Sequence, residues 1–230
     1  MLGLVLAVGL LALVVSTFRA RPDRLPNLTN LLAGQPECTI ALLDKTTATL
    51  SPDQAAALTT AAVTGAAADP GWPVDPQQIA IREPQAVSCR IPQSTNLGIE
   101  QPNELGLTPR AAAVHAQVRE AIGRVPYGGF APLGVTNGHG ARSAHYEGRA
   151  VDYFFRPLGD AQQQALGWAT ANWLVANAAR LEVAVVIFDD RIWSARRSAQ
   201  GWRPYTNPEG LTDPISRHLD HVHMDVARGR

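Results

Sequence analysis

Histidines at 139, 145, 221 and 223 and aspartates at 152 and 220 lie in two short stretches of the chain. Imidazole and carboxylate together are the side chains of metal-ion chemistry, as ligands and as proton carriers. The first stretch, Ser143-Ala144-His145-Tyr146-Glu147-Gly148-Arg149-Ala150-Val151-Asp152, has the form S-x-H-x-x-G-x-A-x-D. A straight strand would put His145 and Asp152 on opposite faces, so a shared ion requires a bend. Gly148 supplies it, because a residue without a Cβ reaches backbone conformations that re-aim a strand, and small Ala150 lets the ligands approach. The second stretch, Asp220-His221-Val222-His223-Met224-Asp225-Val226, alternates. It sets His221 and His223 on one strand face and Val222, Met224 and Val226 on the other. His115, His139 and His218 are expected to be ordinary surface or core histidines, Asp225 to make a structural hydrogen bond, and Asp189 and Asp190 to end a strand in a turn.

These two stretches, in this order, resemble the zinc D-alanyl-D-alanine peptidase superfamily, which shares its fold with the hedgehog signalling domain. His218-Leu219-Asp220-His221-Val222-His223 is similar to the H-x-D-H-V-H ending of envelope-associated actinobacterial members. The resemblance runs from about Thr108 to the C-terminus. It implies an α+β fold, an antiparallel sheet with flanking helices, and one Zn²⁺ held by His145, Asp152 and His223. It also implies peptidoglycan peptide as substrate, cleaved at an amide bond. Three protein ligands leave a fourth position for water, which zinc makes nucleophilic near neutral pH. Where many members carry a glutamate base in E-x-x-H, this chain has Asp220. Strand parity favours His221 as the base; Asp220 points away unless the strand begins after it, and otherwise orients a histidine. Arg142, Arg149 and Arg191 are the guanidinium groups available to an oxyanion or a substrate carboxylate. The S-G-x-R-S signature of the superfamily is compressed to Gly140-Ala141-Arg142-Ser143, so Ser143 either binds substrate or caps a turn. Trp193, Trp202 and Tyr205 either wall a cleft or join the core. A non-catalytic, zinc-containing wall-binding or assembly module of the same fold is the alternative function.

The elements that must position these groups follow from pattern and composition. Of 230 residues, 20 are basic and 20 acidic, so no net field gathers nucleic acid and no nucleic-acid partner is expected. Residues 1–18 carry no charge and are long enough to reach across a bilayer, a transmembrane anchor or export signal, with a basic leader expected ahead of them. Arg19, Arg21 and Arg24 would by the positive-inside rule leave the remainder in the cytoplasm. The two cysteines, Cys38 and Cys89, suit one disulfide in an oxidising compartment, and export to the cell envelope, anchored or secreted, is the expectation. Residues 19–36 read as a linker and 37–92 as a small αβ module. That module comprises a strand from Cys38, a helix from Ser51 and Pro52 to about Ala67, and short strands at Ile79–Ile81 and Ala86–Ile91. Residues 93–106 form a second linker rich in Pro, Asn, Gln and Gly. Residues 107–230 form the peptidase-like domain, with helices from Thr108 to Gly123 and from Asp160 to Arg180, a central strand at 183–188 and a closing strand at 221–226. Oligomeric state has no signature in the sequence.

Overall fold

Capping chemistry sets the helix limits. The computed structural model describes residues 35–230; the expected apolar segment and nearly all of the first linker lie outside the described residues. Helix α1 (Pro52–Thr64) opens with a capping box, in which Ser51 accepts from the Gln54 N–H while the Gln54 side chain accepts from the Ser51 N–H. It stops at Gly65, which takes a left-handed conformation with φ 71°, three residues before the expected end. Helix α2 (Pro109–Ala121) is capped by Thr108. Helix α3 (Ala161–Ala176) is capped by Asp160, whose carboxylate accepts from the N–H groups of Gln162 and Gln163. The single helix expected from 160 to 180 is instead interrupted at Asn177, which leaves the helical region and binds the Trp173 carbonyl through its side chain; a short α4 (Ala178–Leu181) follows.

Strands β1 (Glu37–Ala41), β2 (Thr47–Leu50) and β3 (Val87–Arg90) form an antiparallel sheet in the order β2-β1-β3. Cys38 and Cys89 are directly opposite in that register and joined by a disulfide. Ile79–Ile81 does not make the expected strand. A 3₁₀ turn over Pro76–Gln78, capped by Asp75, swings the chain so that only Ile79 bridges Leu42.

The larger sheet contains β4 (Tyr127–Gly128), β5 (Ala150–Phe154), β6 (Val183–Phe188), β7 (Arg191–Ser194), β8 (Arg203–Pro204) and β9 (His221–Val226). All its pairings are antiparallel, and their order is β4-β5-β9-β6-β7-β8. The C-terminal strand β9 therefore lies between β5 and β6. Its apolar residues Val222, Met224 and Val226, with Val151 and Tyr153 of β5, are buried in a core completed by Trp168, Trp173 and Leu174 of α3. That core continues into Ile40, Leu58 and Val87 of the smaller sheet and α1, and residues 36–230 form one compact unit.

Named hydrogen bonds stitch the two sheets. Trp193 donates to the Cys89 carbonyl (3.1 Å) and Trp202 to the Val87 carbonyl (2.7 Å), so both tryptophans serve the core rather than a cleft. Asn172 of α3 accepts from the Val87 N–H and donates to the carbonyls of Ile81 and Glu83. Buried polar groups satisfied in this way fix one sheet on the other where unsatisfied ones would destabilise. Among the described residues no helix is long and apolar enough to cross a membrane.

Candidate metal centre

Period-two alternation on two adjacent strands builds the floor of the site. The register pairs Asp152 with His223 and Phe154 with His221, so the chemistry-bearing residues of β5 and β9 share the face opposite the core. His145 arrives from outside the sheet, on a 3₁₀ turn, Ala144–Glu147. Ser143 caps that turn by accepting from the His145 N–H (3.2 Å), and Gly148 closes it with φ 65°. A Cβ on Gly148 would sit 2.6 Å from the Gly106 carbonyl oxygen, which leaves glycine as the residue that fits. The bend expected at Gly148 is thus present, with His145 on the turn before the strand.

Three ligand-type atoms meet there. His145 Nε2 lies 3.1 Å from His223 Nδ1 and 3.3 Å from Asp152 Oδ1, and His223 Nδ1 lies 3.1 Å from Asp152 Oδ1. Tetrahedral bonds of about 2.0–2.1 Å place ligand atoms roughly 3.3 Å apart, so this triangle has the dimensions of one face of a divalent-ion site. A second, overlapping set is His139, His145 and Asp152, whose ligand atoms all lie within 4.8 Å of one another. The His145, Asp152 and His223 triangle is the tighter of the two and the better match to one ion. His145, Asp152 and His223 are 3%, 6% and 9% exposed, which excludes most competing water.

The surroundings orient each ligand. His145 Nδ1 donates to the Gly129 carbonyl (2.8 Å), leaving the Nε2 lone pair for the site. A Cβ on Gly129 would come within 2.4 Å of the His145 ring, so this approach also depends on glycine. His223 turns its other nitrogen toward Asp225, 3.7 Å away. Burial alone would raise the Asp152 carboxyl, but the two imidazoles of His145 and His223 against it hold it well below the ordinary carboxylate range. Burial likewise opposes charge on His223, yet Asp152 and Asp225 outweigh it and push its pKa up to about 9. A metal would therefore displace a proton from His223.

Beside the triangle runs a second chain of contacts. Arg156 Nε donates to Asp220 (2.7 Å), and Asp220 accepts from His221 Nδ1 (2.8 Å). His221 Nε2 is left facing Asp152 Oδ1 at 3.9 Å. The strand begins at His221, after Asp220, so Asp220 turns back to hold the histidine. Asp220 therefore fixes the orientation of His221.

Other residues singled out in the sequence fall elsewhere. Ser143 caps the ligand turn. Arg149 is bound to Glu147 and to the Val226 carbonyl, both at 2.6 Å, and lines a separate depression of about 720 Å³ with Arg110 and Glu100. Arg142 is exposed and makes no hydrogen bond or ion pair with the cluster. Arg191 lines another depression, of about 380 Å³, with Asp190, Arg217 and Tyr205. His115 packs among Tyr127, Phe130 and Tyr153, as expected of a core histidine.

Two histidines expected to be bland join the cluster. The His139 ring stacks on His145 with centroids 3.9 Å apart. His218 packs against His221 and His223 at 4.7 and 5.6 Å, its Nδ1 is buried without a hydrogen-bond partner, and burial pushes its pKa down to about 2. Arg156 was not anticipated either. Its sequence signal is weak: a cation two residues past Phe154, which matters only once β9 is known to lie beside β5.

Comparison with known proteins adds one match. The family model described as VldE, C-terminal domain, matches residues 103–215, just under half of the chain. The matched stretch includes His139, His145, Asp152 and Arg156 and ends before Asp220, His221 and His223. No curated protein and no solved structure matches the chain.

Proposed function

We propose that this protein is a zinc-dependent peptidase of the cell envelope that hydrolyses amide bonds in peptidoglycan peptides. The observation that carries the reading is the His145, Asp152 and His223 triangle, with edges of 3.1–3.3 Å, in a sheet that also presents a polarised histidine. The motif resemblance supplies the substrate class. The disulfide, which suits an oxidising compartment, supports an extracytoplasmic location, with the apolar N-terminal segment as the membrane tether.

Zinc held by these three side chains would supply Lewis acidity and lower the pKa of a water to about 7. The rest of the chemistry falls to the chain's own residues. Arg156 fixes Asp220, and Asp220 fixes the His221 tautomer with its proton on Nδ1. His221 Nε2 then accepts the proton released as water adds to the amide carbonyl, and delivers it to the leaving amine. Asp225 holds the far side of His223 and resists its rotation.

Near-complete burial of the ligands favours one second reading, a non-catalytic zinc module that binds wall peptides. The purified, zinc-loaded full-length chain is incubated with purified peptidoglycan and the released peptides are weighed by mass spectrometry. The peptidase reading expects new, shortened peptides from wild type and none from His145→Ala. Unchanged peptides from a folded, zinc-loaded wild type would leave the module reading standing. A folded wild type that takes up no zinc would remove both.

A further inference from the structure

We infer that His139 is a displaceable fourth ligand, which closes the metal centre at rest and must leave when substrate enters. The inference rests on the proposed metal site and concerns what occupies the remaining coordination position.

The geometry brings His139 to the edge of the coordination sphere without placing it fully inside. Its ligand atom and those of His145 and Asp152 all fall within 4.8 Å of one another. Ligand atoms on a tetrahedral ion stand roughly 3.3 Å apart, so a shift on the order of 1–2 Å, with a turn of the His139 ring edge toward the ion, completes the set. Stacking explains the offset: the two rings lie at 21° to each other with centroids 3.9 Å apart, so the His139 ring runs alongside that of His145.

The loop bearing His139 is tied to the ligand turn itself. The Tyr146 hydroxyl accepts from the His139 N–H (3.1 Å) and donates to the His139 carbonyl, so one side chain holds both backbone polar groups. Tyr146 follows His145 in the same 3₁₀ turn, which references the position of His139 to that of the first ligand. A second tie runs from the Ala141 N–H to Glu209 (3.2 Å). Otherwise the segment has little to lose on moving. Residues 132–134, 136–138 and 140–142 are exposed, and Gly138 sits at φ 83° with no atom near the position a Cβ would take. A ligand on such a loop can leave the ion without breaking core packing, unlike the strand-borne Asp152 and His223.

The test uses the full-length chain and reads coordination instead of turnover. X-ray absorption at the zinc edge should count three imidazoles in wild type and two in His139→Ala. Zinc affinity, measured by competition with a chromophoric chelator, should fall about tenfold in His139→Ala. Affinity for acetohydroxamate, a small chelating probe, should rise by about the same factor because the position it needs is open. Tyr146→Phe keeps the imidazole but loosens its loop, and should move both affinities in the same directions by less. Opposite shifts in zinc and probe affinity are the signature of a competing ligand, and general destabilisation would weaken both. Should His139→Ala fail to fold, the imidazole count in wild type and the Tyr146→Phe shifts decide alone. Two imidazoles in wild type would overturn the role of His139 and leave the metal site intact. A wild type that binds no zinc would overturn both.

Discussion

The two faces of β5 and β9 are made from alternate positions of the same two adjacent strands, yet they differ in what holds them. On one face Val151, Tyr153, Val222, Met224 and Val226 are buried among apolar neighbours, where any hydrophobic side chain of similar volume would serve. On the other, Asp152, His221 and His223 are almost as deeply buried, but each is defined by a named polar partner at a fixed distance. Burial on the first face stabilises by removing apolar surface from water. On the second it raises the stakes of every charge and hydrogen bond, because the low dielectric penalises an unpaired group. A pleated strand permits this division at every second residue, so stability and chemistry should be separable by mutation.

The largest separation is expected from Asp152→Asn. The amide keeps the shape but loses the anionic oxygen, and zinc affinity should drop by a factor on the order of a thousand, one to two orders beyond the loss of an outer-shell partner. Calorimetric titration of the metal-free chain measures it, and retained affinity would remove Asp152 from the ligand set. Met224→Ala should do the reverse. Its side chain is fully buried in the core, so truncation should lower unfolding free energy by about 2–5 kcal/mol while the folded fraction keeps a full complement of zinc. Urea melts with metal analysis of the folded peak would show this. Loss of zinc in proportion to stability would mean the two faces are not independent.

How much of this was legible beforehand depends on sequence distance. The alternation in 221–226 was enough to sort His221 and His223 from Val222, Met224 and Val226, because a strand's faces are a local property. Gly148 as a bend and Ser51 and Thr108 as caps are readable for the same reason, and the Cys38–Cys89 bridge because only two cysteines are present. The Arg156, Asp220 and His221 chain was not, since Arg156 meets Asp220 only through the pairing of two strands far apart in sequence. Loop-borne His139 and His218 have no periodicity to report their direction. The strands β2, β7 and β8 are too short to show a pattern, and the interruption at Asn177 comes from a side chain competing for its own helix's carbonyl. The proposed ligands are therefore visible as a motif, while the groups around them become visible only in three dimensions.

A pH series sharpens the contrast on the polar face alone. In the metal-free chain the His223 pKa lies near 9, above its ordinary value of about 6.5. A raised pKa means the folded state holds the proton more tightly. The contribution is thus fully present below about pH 6.5 and is lost as pH rises through about 9, amounting to no more than about 3 kcal/mol. Zinc bound at the proposed site would take the proton's place, so the stabilisation it confers should grow across the same window. Urea midpoints at both ends, with EDTA and with zinc, should diverge as pH rises. Parallel curves would show that the metal does not compete with the proton on His223.

The smallest effect should come from Arg156→Ala. Its side chain is about half exposed (52%) and lies over the Phe154 ring as well as on Asp220, so removing it should alter stability by less than about 1 kcal/mol. On the proposed peptidase reading its consequence should instead be catalytic. Asp220 freed of Arg156 holds His221 Nδ1 less rigidly, and the rate of peptide hydrolysis should fall about tenfold with zinc content unchanged. Arg156→Lys, which restores the charge without the planar fork, should recover part of the loss. A fall in zinc content would place Arg156 with the ligands, whereas a fall in rate alone divides the polar face itself into a half that holds the ion and a half that moves the proton.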